Sequence, residues 1–176
     1  ALCNLSDTGA FDVRAADLAR LGVAGLVTEF GAVGDDATSL AELDYVAAQA
    51  DRLLLGTIYW MFKSFADFTT AAFRDGGVYE GFYAGADGRL QRGKLRALAR
   101  PAARAIAGRA LHMAFHPATR VFTLRFAPLP PLGRATDIFL GAALHYPAGV
   151  HVRLQPAGAA SYELVDAANR LTVTVH

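Results

Sequence analysis

One acidic side chain near the end of an apolar run constrains this chain more than any other feature. The run extends from Leu26 to Phe30, contains Glu29, and is ended by Gly31 and Gly34. This pattern predicts a strand that is buried on both faces. In an α/β barrel the ends of the strands carry the catalytic groups, so Glu29 is a candidate nucleophile or general base. The alternative is that Glu29 faces a loop and caps the next helix.

The residues after Glu29 predict a β-α-β unit. Ser39 to Glu42 has the spacing of a capping box, and apolar residues then recur at helical spacing, which predicts a helix from about Ser39 to Arg52. A second apolar run, Leu53 to Trp60, contains residues that favour a strand. Such crossovers join parallel strands, so we expect Glu29 and Trp60 at the same carboxyl edge of the sheet. An indole can stack on a pyranose while a carboxylate attacks its anomeric carbon.

The beginning of the chain predicts another helix before the first strand. Asp12 can cap a helix that runs through Val13 and Leu21 and stops at Gly22. The order helix, strand, helix, strand is that of an α/β barrel. A closed barrel needs at least about 200 residues, and only two strands of this type are visible. We therefore expect the chain to be an incomplete part of such a barrel.

The second half of the sequence has the pattern of an antiparallel β-sandwich. Loops are expected at 75–77 and 85–88, and a short helix within 90–108. Short apolar runs then follow at regular spacing with turn residues between them, which predicts a series of strands. These runs are Ala110–Phe115, Val121–Phe126, Asp137–Leu144, Val150–Leu154, Ser161–Val165 and Leu171–Val175. We place the barrel part in residues 1–85 and the sandwich in residues 86–176.

Short motifs occur in a defined order along nearly the whole chain. They are Thr28–Ala32, Tyr59–Phe65, Arg100 with Ala105–Gly108, Phe115–Thr119, Phe122–Leu124, Ala135–Ile138 and Tyr146–Gly149. In this order they resemble the carboxyl-terminal portion of endoglycoceramidases and related glycosylceramidases of glycoside hydrolase family 5. The resemblance implies the last strands of a (β/α)8 TIM barrel followed by an antiparallel β-sandwich domain.

The resemblance also implies an active site and a reaction. It assigns Glu29 as the catalytic nucleophile on the seventh barrel strand, Trp60 as the tryptophan beside the sugar, and Lys63 as a further substrate-binding residue. The implied enzyme is a retaining glycosidase that cleaves the β-glucosidic bond between an oligosaccharide, or glucose, and ceramide. Retention needs a second carboxyl about 5–5.5 Å from the nucleophile. In the family this Glu stands between Asn and Pro, and no Asn-Glu-Pro occurs here, so the fragment alone is expected to be inactive.

No cofactor or metal ion is expected, and the other acidic candidates are weak. His112 and His116 are four residues apart, but strand and turn are predicted there, and no third ligand follows at a useful spacing. Glu42, Glu80 and Glu163 are expected on a helix, in a loop and in the sandwich. None of these three glutamates is a candidate for the second carboxyl.

Composition and charge limit the partners of the chain. A net charge of +1 provides no basic field for nucleic acid. No apolar run approaches the roughly 18 to 20 residues needed to cross a bilayer, so no transmembrane helix is expected. Aromatic residues between Met61 and Tyr83 either pack between the domains or line a ceramide groove, which would allow peripheral membrane contact. The expected location is extracytoplasmic: secreted, or lysosomal in a eukaryote.

Two other functions remain open from the sequence. One is a non-catalytic β-sandwich module that binds glycan or lipid, with the αβ part as a vestigial extension. The other is a family 5 glycosidase that acts on a different β-glucoside, such as a glucan or an aryl glucoside. The sandwich favours lipid-linked substrates only by analogy with the family.

Overall fold

The computed structural model describes residues 2–62, 80–84, 88–165 and 169–176. The chain forms two compact units, Ala1–Leu98 and Ala99–His176. Of the helices within the described ranges, none has both the length and the apolar character needed to cross a membrane.

The first unit alternates helices with short strands. Its elements are α1 (Leu2–Leu21), β1 (Leu26–Gly31), α2 (Ala37–Leu53), β2 (Gly56–Trp60), β3 (Tyr83–Ala84), β4 (Arg89–Leu90) and α3 (Arg92–Leu98). β1 and β2 are joined by α2 and pair in parallel, so the predicted β-α-β unit is confirmed. Gly31 lies opposite Trp60 at the carboxyl end of the pair, and the register shifts once, between Val27 and Phe30.

The strands of this pair are less buried than the sequence predicted. Leu26 on β1 is 55% exposed and Ile58 on β2 is 53% exposed. Among the described residues their sheet has only two strands, so neither strand is flanked on both sides. The best-buried residues of α2 are Leu43, Ala47 and Ala50, whose helical spacing gives α2 the predicted apolar face.

The start of α2 differs from the prediction. The helix begins at Ala37, because the Asp36 carboxylate accepts hydrogen bonds from the backbone N–H groups of Thr38 and Ser39 at 3.0 and 3.1 Å. Asp36 rather than Ser39 is therefore the N-cap. The Ser39 hydroxyl donates to the Asp36 carboxylate at 2.6 Å, and this hydrogen bond holds the pKa of that carboxyl below its usual value.

The start of α1 also differs from the prediction, whereas its end agrees. The helix begins at Leu2, so Asp12 lies inside it and does not cap it. The Asp12 carboxylate instead accepts a hydrogen bond from Arg52 at 2.7 Å, which connects α1 to the end of α2. Gly22 ends the helix as expected, with φ of 67° and its N–H donating to the carbonyl of Leu18.

The boundary between the units lies later than predicted. The sequence places it after residue 85, whereas the contacts divide the chain after Leu98. The reason is α3, which packs against α2. In addition, the Asp35 carboxylate accepts a hydrogen bond from the backbone N–H of Lys94 at 2.9 Å, which attaches α3 to the loop before α2.

The second unit is an antiparallel β-sandwich, as the sequence predicted. Its elements are β5 (Ala102–Ala105), β6 (Gly108–His116), β7 (Val121–Pro128), β8 (Ala135–Phe139), α4 (Ala142–His145), β9 (Ala160–Val165) and β10 (Arg170–Val175). One sheet has the strand order β5-β8-β10-β9, and the other is the β6–β7 hairpin. The core consists of Ile138, Leu140, Leu171 and Val173, against which Phe122 and Leu124 of β7 pack.

Two of the predicted strands in this unit are wrong in extent or type. The run from Asp137 to Leu144 is a strand only as far as Phe139, because Gly141, with φ of 58°, then begins the short helix α4. The run from Val150 to Leu154 is extended but is not a strand. Its partly buried residues alternate with exposed ones, as in a strand that covers one face of a core. The hydrogen-bonded partner strand that would make it part of a sheet is absent from the described residues.

Candidate active site

Glu29 and Trp60 lie at the same edge of the first unit's sheet. β1 and β2 run parallel and Gly31 pairs with Trp60, so the end of β1 that carries Glu29 lies beside the end of β2. Glu29 is exposed and Trp60 is partly buried. The two residues therefore share one edge of the strand pair, as we predicted from the crossover.

A close approach of the two backbones determines the geometry of this edge. The Ala32 N–H donates to the Trp60 carbonyl at 3.0 Å. A Cβ on Gly31 would lie 2.2 Å from that carbonyl oxygen and 2.5 Å from the Tyr59 ring, and Gly31 has φ of 127°. A residue with a side chain would clash here and would also be strained. Gly31 therefore allows β1 to end directly against β2, two residues after Glu29.

Aromatic rings form a continuous cluster beside the end of β2. The rings of Phe30 and Tyr59 meet edge to face at 5.7 Å, and Tyr59 lies 5.2 Å from Phe82. Phe62 in turn contacts Phe82 and Tyr83, with centroid distances of 6.4 and 5.5 Å. Phe62 is 59% exposed, so the outer part of the cluster faces solvent. The cluster supports the β2 end from inside and presents an apolar surface outside.

Buried polar groups hold the backbone at Glu80 and Gly81 against this cluster. The Tyr59 hydroxyl donates to the Glu80 carbonyl at 2.6 Å. The Gln91 side-chain amide and the Lys94 ammonium both donate to the carbonyl of Gly81, the ammonium at 3.2 Å. This arrangement was not predicted from the sequence. The available signal was weak: one lysine in a segment otherwise dominated by Arg and Ala.

Burial changes the ionisation of two of these groups. Lys94 is fully buried, and burial lowers the pKa of its ammonium to about 8, although the Asp35 and Glu80 carboxylates oppose that shift. Burial also raises the pKa of the Tyr59 hydroxyl. Both groups therefore act at neutral pH as donors to backbone carbonyls. By these hydrogen bonds Tyr59 and Lys94 hold the backbone of Glu80 and Gly81 beside the end of β2.

Two consecutive carboxylates fix the loop that follows β1. Asp36 caps α2, and Asp35 accepts the N–H of Lys94 in the first turn of α3. Gly93 has little room for a side chain, because a Cβ there would lie 2.3 Å from Asp35 Oδ1. The loop between β1 and α2 is therefore attached to both α2 and α3 by side-chain hydrogen bonds.

The other glutamates lie in different surroundings. Glu42 is on α2, where burial, followed by a hydrogen bond with Asp7, raises its pKa. Glu163 is an exposed residue of β9 in the second unit. Glu80 is partly buried, and the Tyr59 hydroxyl binds its carbonyl. The prediction that none of these three supplies the second carboxyl stays a prediction.

Several predicted residues cannot be placed at the site. Lys63 lies outside the described residues, and so do four aromatic residues of the predicted groove, Phe65, Phe68, Phe73 and Tyr79. His112 and His116 both lie on β6. In the part of the chain that the structure describes, no group of three or more His, Cys, Asp or Glu side chains could hold a metal ion.

Motif residues of the second unit form a structural cluster. Arg100 is buried, donates to the Phe115 carbonyl at 3.1 Å, and has its guanidinium 5.4 Å from the centre of the Phe115 ring. The Phe115 ring meets the His145 ring at 4.8 Å, and His145 Nε2 lies 3.1 Å from the Ala99 carbonyl oxygen. These contacts connect the start of the unit to β6 and α4. The motifs are far apart in sequence and come together only in the folded sandwich.

A cavity of about 770 Å³ lies in the sandwich and opens to the surface beside Arg120 and Arg153, and it was not predicted from the sequence. Phe122 and Leu124 of β7 line one side, and Ile138, Leu171 and Val173 of the opposite sheet line the other. Short apolar runs predicted the strands of a sandwich. Such runs do not tell how closely the two sheets pack.

Comparison with known families and structures agrees with the fold. Residues 100–176 match the family model of the glycoside hydrolase family 5 C-terminal domain. No curated protein matches the chain in sequence.

Solved structures of endo-glycoceramidase II from Rhodococcus sp. have a similar fold. The five-membered iminocyclitol complex has a TM-score of 0.69 at 20% identity and covers 100% of this chain and 37% of its own. The ganglioside GM3 complex has a TM-score of 0.67 at 20% identity, with coverages of 100% and 35%. The lactosyl-enzyme intermediate has a TM-score of 0.66 at 20% identity, with coverages of 94% and 34%. This chain thus spans about a third of their length.

These matches confirm the resemblance that the sequence indicated and the expected fold class. At 20% identity the likeness to the solved structures concerns the fold, and the roles of individual residues have to be argued from their chemistry.

Proposed function

We propose that the chain, whose residues 100–176 match the family model of glycoside hydrolase family 5 C-terminal domains, is the carboxyl-terminal part of a retaining β-glycosidase acting on glycosphingolipids. The bond cleaved is the β-glucosidic bond between the glycan, or glucose, and ceramide. The proposal assigns Glu29 as the nucleophile and Trp60 as the residue that stacks on the sugar. Lys63 is proposed as a further contact of the substrate.

The observation that carries the proposal is the shared edge of Glu29 and Trp60. An exposed carboxylate at a strand end can reach the anomeric carbon of a bound sugar, and its attack would form a covalent glycosyl-enzyme. The neighbouring indole offers an apolar face to the C–H face of the pyranose. The hydrogen bond from Ala32 to the Trp60 carbonyl supports this assignment, because it holds the two strand ends together.

The acid/base carboxyl is proposed to come from another part of the complete protein. A retaining mechanism requires it about 5–5.5 Å from the nucleophile. Glu42 lies on α2, and Glu163 belongs to the second unit. The exposed apolar side chains of Leu26 and Ile58 support further strands beside β1 and β2 in the complete protein. The chain by itself is therefore expected to be inactive.

The ceramide part of the substrate is the least direct element of the proposal. Its support is the likeness of the fold to endo-glycoceramidase II and the exposed outer part of the aromatic cluster, where Phe62 is 59% exposed. Hydrolysis of such a substrate takes place at a lipid surface, so the proposal includes peripheral lipid contact and an extracytoplasmic location.

Trapping of the covalent intermediate tests the nucleophile directly. The complete protein that contains this chain is incubated with a deoxyfluoro-lactoside that carries a dinitrophenyl leaving group, digested, and analysed by mass spectrometry. We expect the added sugar on the peptide that contains Glu29. Label on a different carboxylate, with Glu29 unmodified, would contradict the assignment.

Hydrolysis assays test the reaction and its substrate. The complete protein is given fluorescent lactosylceramide, an aryl β-glucoside and a cello-oligosaccharide in parallel. Glu29→Gln is expected to lower kcat/KM by at least about a thousandfold on the cleaved substrate. Glu163→Gln is the matched control and should retain full activity. Activity on the aryl glucoside or the cello-oligosaccharide without activity on lactosylceramide would replace glycosphingolipid by another β-glucoside. Activity on none of the three would contradict the proposal.

A further inference from the structure

The second unit has a large cavity that opens to solvent, where the exposed side chains of Arg120, Val121 and Arg153 line it. Protein interiors pack at a density of about 0.75, and voids larger than a water molecule are few. The cavity has a volume of about 770 Å³ and lies between the two sheets of the second unit. Ligand sites have volumes of roughly 300–1,000 Å³. Its size is therefore that of a ligand site.

The interior of the cavity is apolar. Alternate residues of β7, namely Phe122, Leu124 and Phe126, line one wall, and Leu171 and Val173 of β10 belong to the opposite wall. Polar ligands such as sugars would lose their hydrogen bonds to water against these walls without gaining others. An alkyl chain has no hydrogen bonds to lose on entering, and its removal from water is favourable. The walls therefore favour a hydrocarbon ligand.

The rim of the cavity carries positive charge. Arg120 follows β6, and His151 and Arg153 lie on the extended segment 150–154; all three side chains are exposed. Along that segment Val150, Val152 and Leu154 point inward, and the two polar residues alternate with them. Of the described residues that line the cavity, none is Asp or Glu. Among the lining residues an anionic group at the rim would thus find the arginines Arg120 and Arg153 and no carboxylate.

We propose that this cavity binds a single long alkyl chain with an anionic head group, of the fatty-acid class. The chain occupies the space between β7 and β10, and the carboxylate lies at the rim near Arg120 and Arg153. A neutral lipid fits the walls but leaves the positive rim unused. The site belongs wholly to the second unit and is independent of Glu29 and of glycoside hydrolysis.

The first experiment measures binding and its location. The chain is titrated with cis-parinaric acid, a fatty acid whose fluorescence rises in apolar surroundings. We expect saturable binding with a dissociation constant in the micromolar range. Val152→Trp fills the cavity and should weaken binding by about tenfold or more. Leu111→Trp adds the same ring on an exposed residue of β6 outside the cavity and should leave binding unchanged.

The second experiment tests the charged rim. The double variant Arg120→Glu and Arg153→Glu should lower the affinity for parinaric acid by about tenfold and leave that for its methyl ester unchanged. Arg125→Glu, an exposed residue of β7 that does not line the cavity, is the control and should bind both probes like the parent.

Three outcomes would overturn the proposal: no saturable binding to the parent, equal binding to Val152→Trp when its circular dichroism is native, or equal affinity of the parent for acid and ester. If Val152→Trp does not fold, Val121→Trp replaces it. Val121 lines the cavity but is 54% exposed, so a larger side chain is tolerated there. Unchanged binding to that variant would equally contradict the site.

Discussion

The two units differ in how far their apolar side chains are buried. The second unit covers its own core, in which Ile138 is 4% exposed and Leu140 is 2% exposed. The first unit leaves Leu26 and Ile58 more than half exposed and concentrates its precise contacts at one edge, where Glu29 and Trp60 lie. The comparison teaches that the described ends of a strand pair can be held by specific contacts while apolar side chains on the same strands stay exposed in this chain. The following predictions test this difference.

The largest effect is expected from a pair of isoleucines, one in each unit. Ile138→Ala removes a buried side chain and should cost about 2–5 kcal/mol of unfolding free energy. Ile58→Ala removes an exposed one and should cost less than about 1 kcal/mol in this chain. Urea unfolding followed by far-ultraviolet circular dichroism measures the first. The fluorescence of Trp60, the single tryptophan, measures the second. Equal losses would abolish the proposed difference between the units.

A substitution at Gly31 tests whether the order at the strand ends is local. Gly31→Ala places a methyl group against the Trp60 carbonyl at a positive φ, and we expect a loss of about 1–3 kcal/mol together with changed Trp60 fluorescence. Gly9→Ala is the control. Gly9 lies in α1 with nothing near its Cβ position, so this change should stabilise by up to about 1 kcal/mol. A tolerated Gly31→Ala would show that the strand ends are loosely held.

The buried Lys94 should make the stability of the first unit depend on pH. Its pKa is about 8 when folded and about 10.5 when unfolded, so between these values the unfolded chain binds more protons. The stability of the first unit should therefore rise from pH 8 towards pH 10, by on the order of 2 kcal/mol. Lys94→Met should abolish the rise, whereas Arg96→Met, on the exposed side of α3, should keep it. Trp60 fluorescence in urea at each pH measures the slope, and an unchanged slope in Lys94→Met would refute this origin.

The smallest effect is expected at the start of α2. Asp36→Ala removes the carboxylate that accepts from Thr38 and Ser39, and should lower the urea midpoint of the first unit slightly. Because its pKa is lowered in the folded state, this contribution should disappear as the pH falls through the folded value. Ser39→Ala should have less effect, since the backbone hydrogen bonds remain. A larger effect of Ser39→Ala than of Asp36→Ala would indicate that Ser39 is the N-cap, as the sequence predicted.

The sequence predicted those features that depend on local periodicity. The β-α-β unit and the shared edge of Glu29 and Trp60 follow from two apolar runs separated by one helical pattern. The choice of Asp36 over Ser39 as the cap could not be predicted, because both residue types accept hydrogen bonds and only the backbone geometry decides between them. The buried Lys94 was missed for another reason: its N–H bonds to Asp35, which is 59 residues away in sequence.

The sandwich shows the same limit on a larger scale. Val150 to Leu154 alternates like a strand, but strand assignment requires a partner, and the partner is a property of the folded sheet. The run from Val121 to Phe126 was predicted as a strand of the sandwich. The cavity beside this strand depends on the separation of two sheets, which no local pattern encodes.

The adjacent carboxylates of Asp35 and Asp36 have a consequence for the length of the chain between Glu29 and α2. Asp36 caps α2, and its neighbour Asp35 binds the first turn of α3. Both helices are therefore attached to the same short connection from the end of β1. Inserting or deleting one residue before Asp35 would move both contacts at once or displace Glu29 from the strand end. The connection can therefore change in composition far more readily than in length. We expect its fixed length to keep the Glu29 carboxylate at a constant position relative to α2 and α3.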